Sequence, residues 1–216
     1  MKKPYQALIF DWDGTLADST STIVHAVQQA FMENDLAAPS EHEARHIIGL
    51  ALPKAMQYLA PKATATEIEA LSESYKRLFL HPDNTMTLFQ DAQDLLPSLK
   101  PDYWLTVATG KSRRGLNRAL TEVGLDGGFF LATRTVDECA SKPAPDMILS
   151  ICDELGLAPR DCLMIGDTTH DLNMAANAGC DAVALTCGAH DIPTLQSAPH
   201  VAMFANFQQL TTWLHV

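Results

Sequence analysis

The sequence predicts an α/β fold in which a parallel sheet carries a block of inserted helices, and three observations lead there. A short apolar run over residues 5–10 ends directly at a pair of aspartates. Three or four helical patterns follow it with no strand between them. From residue 103 onward, short apolar runs alternate with helical stretches, as a Rossmann-like doubly wound parallel sheet requires. With 216 residues and 47% hydrophobic content, the chain can bury a full core as one large domain or as a domain with a smaller insertion.

Taken in order, residues 5–10 are apolar and flanked by polar positions. That is the pattern of a strand covered on both faces. Residues 19–34 place Ile23, Val27, Ala30 and Phe31 at helical spacing, and residues 41–59 do the same with Ile47, Ile48, Leu52, Met56 and Leu59. Residues 66–80 repeat the pattern. Further strands are expected at 103–108, near 129–131, and at 162–165, 182–185 and 200–204. The helical block therefore reads as a unit over residues 17–85, inserted into a core made of 1–16 and 86–216. Turn-forming residues mark its edges as hinges, at 17–21 and at His81-Pro82-Asp83-Asn84.

Charge and composition narrow the function. Acidic residues outnumber basic ones by 26 to 15, for a formal charge of -11. Such a surface offers nothing broad to neutralise nucleic-acid phosphates or anionic lipids, so neither nucleic acid nor a membrane is an expected partner. The start, Met1-Lys2-Lys3-Pro4-Tyr5, is basic, but Asp11 and Asp13 interrupt the apolar stretch behind it too early for a secretory signal. Five cysteines, an odd number with no CxxC pair, argue against a disulfide framework and against a zinc site. A reducing cytoplasm is the expected location.

Four segments carry chemistry. Asp11-Trp12-Asp13-Gly14-Thr15-Leu16 stands where a parallel strand ends, the place where open α/β sheets bind ligands. One carboxylate of such a pair can attack phosphorus, and the other can protonate the departing oxygen and then activate water. Thr109-Gly110 follows the next strand and offers a hydroxyl and backbone N–H groups to phosphate oxygens. Lys142, in Ser141-Lys142-Pro143-Ala144-Pro145, is a cation on a loop stiffened by prolines. In Gly166-Asp167-Thr168-Thr169-His170-Asp171, Asp167 can bind Mg²⁺ and Asp171 can support it.

These four segments, in this order, resemble the motifs of haloacid-dehalogenase-like hydrolases, and the resemblance runs from about residue 5 to residue 190. The helical insertion is similar to the small cap of the subgroup that includes phosphoglycolate phosphatase and β-phosphoglucomutase. The resemblance implies that Asp11 is the nucleophile and that Asp13 is the acid/base, with its backbone carbonyl on Mg²⁺. It further implies Thr109, Gly110 and Lys142 as phosphate binders, Asp167 as the remaining metal ligand and Asp171 as its support. True dehalogenases of this kind lack the second aspartate, so Asp13 points to phosphoryl chemistry. Arg45, in a segment that resembles the part of the cap facing the active site, is a candidate for substrate specificity.

The expected activity is Mg²⁺-dependent hydrolysis of a small-molecule phosphomonoester, phosphoglycolate-like or sugar-phosphate-like. Alternatives are a phosphomutase, a pyrophosphatase or nucleotidase, and a non-catalytic phosphate-binding protein. Monomer and dimer are left open. Simpler readings are kept for several neighbours: Thr15 and Asp18 as a helix capping box, Ser112 as a helix cap, and Asp171 as both cap and metal support. Lys111, Arg113 and Arg114 read as a solvated helix face, and His170 and His190 as surface residues.

Overall fold

The computed structural model describes residues 4–215; Met1, Lys2 and Lys3 of the basic start, and Val216, lie outside the described residues. Six strands form one parallel sheet: β1 (Ala7–Phe10), β2 (Trp104–Ala108), β3 (Ala132–Arg134), β4 (Cys162–Gly166), β5 (Asp181–Leu185) and β6 (Ala202–Phe204). Their spatial order is β3-β2-β1-β4-β5-β6. The order reverses direction between β1 and β4, and a crevice opens there beyond the strand ends.

Residue alternation along β1 builds both faces of the core. Leu8 and Phe10 point to one side, where they meet α5 (Gln90–Leu99), α6 (Arg113–Glu122) and α10 (Phe207–Leu214). Ala7 and Ile9 point to the other and meet α7 (Asp146–Leu155) and α8 (Thr169–Ala178). All four β1 side chains are fully buried, which explains an unbroken apolar run in place of an alternating one. A short helix, α9 (Ile192–Gln196), closes the connection from β5 to β6.

Between β1 and α5 the chain forms four helices: α1 (Thr20–Glu33), α2 (Glu41–His46), α3 (Leu52–Leu59) and α4 (Ala65–Phe79). They share an apolar cluster built from Ile23, Val27 and Phe31 of α1, Met56 of α3, and Ile68 and Leu71 of α4. Capping boxes start α2 at Ser40/Glu43 and α4 at Thr64/Glu67. The outgoing and returning segments run side by side at the core: the Asp18 N–H donates to the Thr87 carbonyl and that of Phe89 to Leu16, both at 3.0 Å.

The structure departs from the sequence expectations in three places. The helix expected over 41–59 is two helices, because Gly49 adopts φ +90° and Pro53 sits at the start of α3. Both helices bury apolar residues in the same cluster, so the periodicity runs on through the turn. The strand expected near 129–131 falls at Ala132–Arg134. The aromatic pair before it anchors a loop: Phe130 lies edge-on to Trp12 at 6.4 Å, and Leu131 is exposed. The hinge expected at 17–21 is shorter, since Ala17 and Asp18 pair with the returning segment and α1 begins at Thr20.

Candidate active site

The site lies at the carboxyl ends of β1, β2 and β4. The Asp11 N–H donates to the Ile165 carbonyl at 2.9 Å, so the ladder runs one residue beyond β1 and fixes Asp11 against β4. The chain then folds back on the Trp12 carbonyl, which accepts from Leu16 and Ala17 at 3.0 and 2.8 Å. Gly14 makes this turn possible in two ways. Its φ is +83°, and a side chain there would overlap the Asp167 carboxylate.

Asp11, Asp167 and Asp171 are fully buried, and each offers a carboxylate oxygen within 4.8 Å of the others. Lys142, also fully buried, places Nζ 2.7 Å from Asp11 Oδ1 and 2.6 Å from Asp171 Oδ1. At these lengths opposite charges attract strongly, and the pairs are shielded from solvent. Asp11 Oδ2 has no protein partner and faces the Gly49 turn of the helical unit. Burial pushes the Asp11 carboxyl up to about 7, against the pull of Lys142 and with Asp171 and Asp13 adding to the rise. Burial likewise holds Asp167 well above the usual carboxylate range, and Asp11 and Asp171 add to it. Burial opposes the charge on Lys142, but Asp11 and Asp171 outweigh it and hold the ammonium above the ordinary lysine range.

Three buried carboxylates, one buried ammonium and one unengaged carboxylate oxygen form a set that a hard divalent cation fits. Mg²⁺ takes oxygen ligands, and it would compensate the surplus negative charge that burial makes costly.

The second aspartate stands apart from the acidic group. Asp13 Oδ1 accepts from Ser19 Oγ at 2.7 Å, and Lys111 Nζ donates to both carboxylate oxygens at 2.9 and 2.8 Å. The solvated-face reading of Lys111 is therefore corrected: its side chain is about one-tenth exposed and belongs to the site. The sequence held a signal for this, since Lys111 follows Thr109-Gly110 and precedes the α6 cap Ser112, so it lies on the strand-end loop and not on the helix. Arg114 is exposed, while Arg113 pairs with Glu138.

Thr15 is also reassigned. Its hydroxyl donates to Asp167 Oδ1 at 2.6 Å and caps no helix, and Asp18 is exposed. The Ala189 N–H donates to Asp167 Oδ2 at 2.7 Å, so two polar groups aim this carboxylate. Asp171 does double service. Oδ2 caps α8 through the Thr168 N–H and hydroxyl, and Oδ1 meets Lys142.

Thr109 is buried just past the end of β2, and Gly110 touches the helical unit directly. A methyl group at Gly110 would collide with the Gly49 carbonyl, so Gly110→Ala is expected to hold the helical unit off the core. Faster hydrogen exchange over residues 45–51, with native protection retained in β1 and β4, checks this. Other contacts seat the same edge. The Ala51 N–H donates to Ser141 Oγ at 3.0 Å, and Arg45, paired with Glu41, donates to the Gly188 carbonyl at 3.3 Å. Arg45 thus reaches the loop beside Asp167, and its contacts do not run to Asp11 or Lys142.

The surface reading of the two histidines is wrong as well. His190 is buried, and the Thr169 N–H donates to its Nδ1 at 3.1 Å, which leaves Nε2 to donate to the His46 carbonyl at 3.2 Å. His170 Nε2 reaches the same carbonyl at 2.8 Å. The His46 ring stacks on His190 with 5.0 Å between centroids. Burial lowers all three imidazoles, His190 to about 4. Two core imidazoles thus clasp one carbonyl of α2. Neither histidine could be paired with His46 from a sequence separation of more than 120 residues.

The five cysteines are free thiols, with Cys152 Sγ and Cys162 Sγ 3.6 Å apart in the core. Among the described residues no helix is long and apolar enough to cross a membrane.

Known proteins resemble this chain in sequence and in fold. The profile of the family described as haloacid dehalogenase-like hydrolase matches residues 8–185. A probable phosphatase, IndB, of Dickeya dadantii is 32% identical, over 96% of this chain and 93% of its own. A phosphoglycolate phosphatase of Haemophilus influenzae is 31% identical, over 99% and 100%. The crystal structure of a hydrolase from Pseudomonas syringae superposes with a TM-score of 0.89 at 26% identity, covering 98% of each chain.

Proposed function

Since the chain belongs to the haloacid dehalogenase-like hydrolase family and is a phosphatase, we propose that it hydrolyses a small-molecule phosphomonoester through an aspartyl-phosphate on Asp11. The substrate would be phosphoglycolate-like or sugar-phosphate-like. The observation that carries this reading is Asp11 Oδ2: a buried carboxylate oxygen with no protein partner, at the strand switch point, beside a buried lysine.

Asp11 Oδ2 forms a bond to phosphorus as the bond from phosphorus to the ester oxygen breaks. Asp13 gives the leaving oxygen its proton. Water then attacks the aspartyl-phosphate, Asp13 takes the water's proton, and inorganic phosphate departs with Asp11 restored. Thr109, the Gly110 backbone and Lys142 hold the phosphoryl oxygens. Asp11, Asp167 and the Asp13 backbone carbonyl would hold Mg²⁺, with Asp171 behind them. The ion would neutralise charge between the phosphoryl oxygens and Asp11. Residues 17–85 act as a cap that excludes bulk water and opens to release product, and Arg45 sits on its seam with the core as a specificity residue. Free thiols and the acidic surface suit a cytoplasmic enzyme acting on small solutes.

Phosphate release from a panel of small phosphoesters, with Mg²⁺ and with EDTA, tests this. Release that EDTA stops is the expected result, and the rates rank the substrates. An isomerised sugar phosphate in place of free phosphate would move the assignment to a mutase.

A further inference from the structure

Lys111 has no part in the chemistry set out above, yet it is held at its edge. The core loop places its ammonium on Asp13. The helical unit covers the same ammonium with Phe79, whose ring centroid is 4.9 Å away. Tyr75, one turn earlier on α4, stacks on Phe79 at 5.5 Å. A nearly buried lysine is uncommon unless it is paired, and an ammonium has three donors. Two contacts run to Asp13, which leaves one donor without a carboxylate oxygen beside the Phe79 ring.

The leaving group has to occupy the seam between α4 and the core. Asp13 protonates the ester oxygen, so ordinary hydrogen-bond lengths put Lys111 Nζ within about 5.5 Å of that oxygen. A carboxylate on the carbon that bears the ester oxygen falls inside this radius, and the stacked rings of Phe79 and Tyr75 stand on the α4 side of the same ammonium. Lys142 is held at the phosphoryl end of the site by Asp11 and Asp171. We propose that Lys111 is the specificity-determining residue for the leaving group, binding a carboxylate next to the ester carbon while Tyr75 and Phe79 limit its size. The inference rests on the phosphatase reading, since Asp13 locates the leaving group only as its acid.

Asp11→Asn leaves Thr109, Lys142 and Lys111 in place and removes turnover, so the affinities of two esters can be compared directly. Phosphoglycolate and ethyl phosphate differ only in a carboxylate against a methyl group. Calorimetric titration of D11N in Mg²⁺ is expected to show a preference for phosphoglycolate of about tenfold or more. In D11N/K111M the two esters should bind within about twofold of each other, and D11N/K111R should recover the preference. A purely structural role for Lys111 would weaken both esters alike. Lys111→Gln keeps a donor toward Asp13 without the charge, and it gives the same reading if the methionine variant does not fold.

A preference that survives both neutral variants, or no preference in D11N, overturns the assignment. Phosphate release by the unsubstituted protein is read in parallel. Preference without release from either ester sinks the phosphatase reading alone, while release without preference sinks the role of Lys111 alone.

Discussion

Replacing Asp11 with asparagine is expected to lower phosphate release by at least about 10³-fold, the scale on which a removed nucleophile acts, and at the same time to raise the melting temperature of the metal-free protein at pH 8. Activity and stability move in opposite directions because the carboxylate is held where an anion is disfavoured. Burial and the neighbouring aspartates lift it to about 7, from an ordinary value near 4. An acid whose folded value is raised binds its proton more tightly when folded. Its favourable contribution is complete below the unfolded value and is lost as pH rises through the folded one.

In EDTA, the unsubstituted protein should therefore lose stability between about pH 4 and pH 7. Asp167, raised in the same direction by burial, adds to the loss. The amide that replaces the Asp11 carboxyl cannot ionise, so the variant should show a shallower slope and melt several degrees higher at pH 8, on the order of a few kcal/mol. Mg²⁺ should stabilise the unsubstituted protein more than the variant, by mass action on the folded state. Melting curves at pH 5, 6.5 and 8, with and without Mg²⁺, measure all of this. A variant that melts lower than its parent at pH 8 in EDTA would mean that the Asp11–Lys142 attraction outweighs burial.

How much of this is legible in the sequence depends on the range over which each signal acts. β1 and β4 are readable because a doubly covered strand needs an unbroken apolar run, and that is a local property. Asp11, Lys142, Asp167 and Asp171 are readable as a group because each stands at a strand end or on the loop beside one, and the strand order brings those ends together. Lys111 is easily misread because a basic cluster resembles a helix face until the cap Ser112 is used to say where the helix starts. Thr15 misleads for a different reason. The spacing of Thr15 and Asp18 fits a capping box, but Asp167, 152 residues away, takes the hydroxyl. The histidine clasp is out of reach, because it forms only when α2 docks on the loops after β4 and β5. Nothing in the local sequence of His46 anticipates that contact.

Lys142→Met should be the most damaging single change to stability. The side chains are close in volume, so the substitution leaves packing largely intact and isolates the loss of charge. Without the ammonium, Asp11 and Asp171 lose the cation that sits within 2.7 Å of both, and three buried carboxylates face one another unopposed. Breaking a buried ion pair by removing one partner typically costs about 3–5 kcal/mol, because the remaining charge stays buried. Phosphate release should fall by at least about 10²-fold, since the phosphoryl oxygens lose their lysine. The cause can be separated from a general packing defect by a second substitution. If unopposed charge is the reason, Asp171→Asn should destabilise the Lys142→Met background less than it does the unsubstituted protein, or should stabilise it, even though an amide in place of the Asp171 carboxylate is a poorer cap for α8. Lowering the pH toward 5 should also narrow the gap between Lys142→Met and its parent, because protons then supply the neutralisation that the lysine no longer does. Additive losses in the double variant, together with a gap that does not change with pH, would show that Lys142 acts through packing and that the carboxylates are neutral without it.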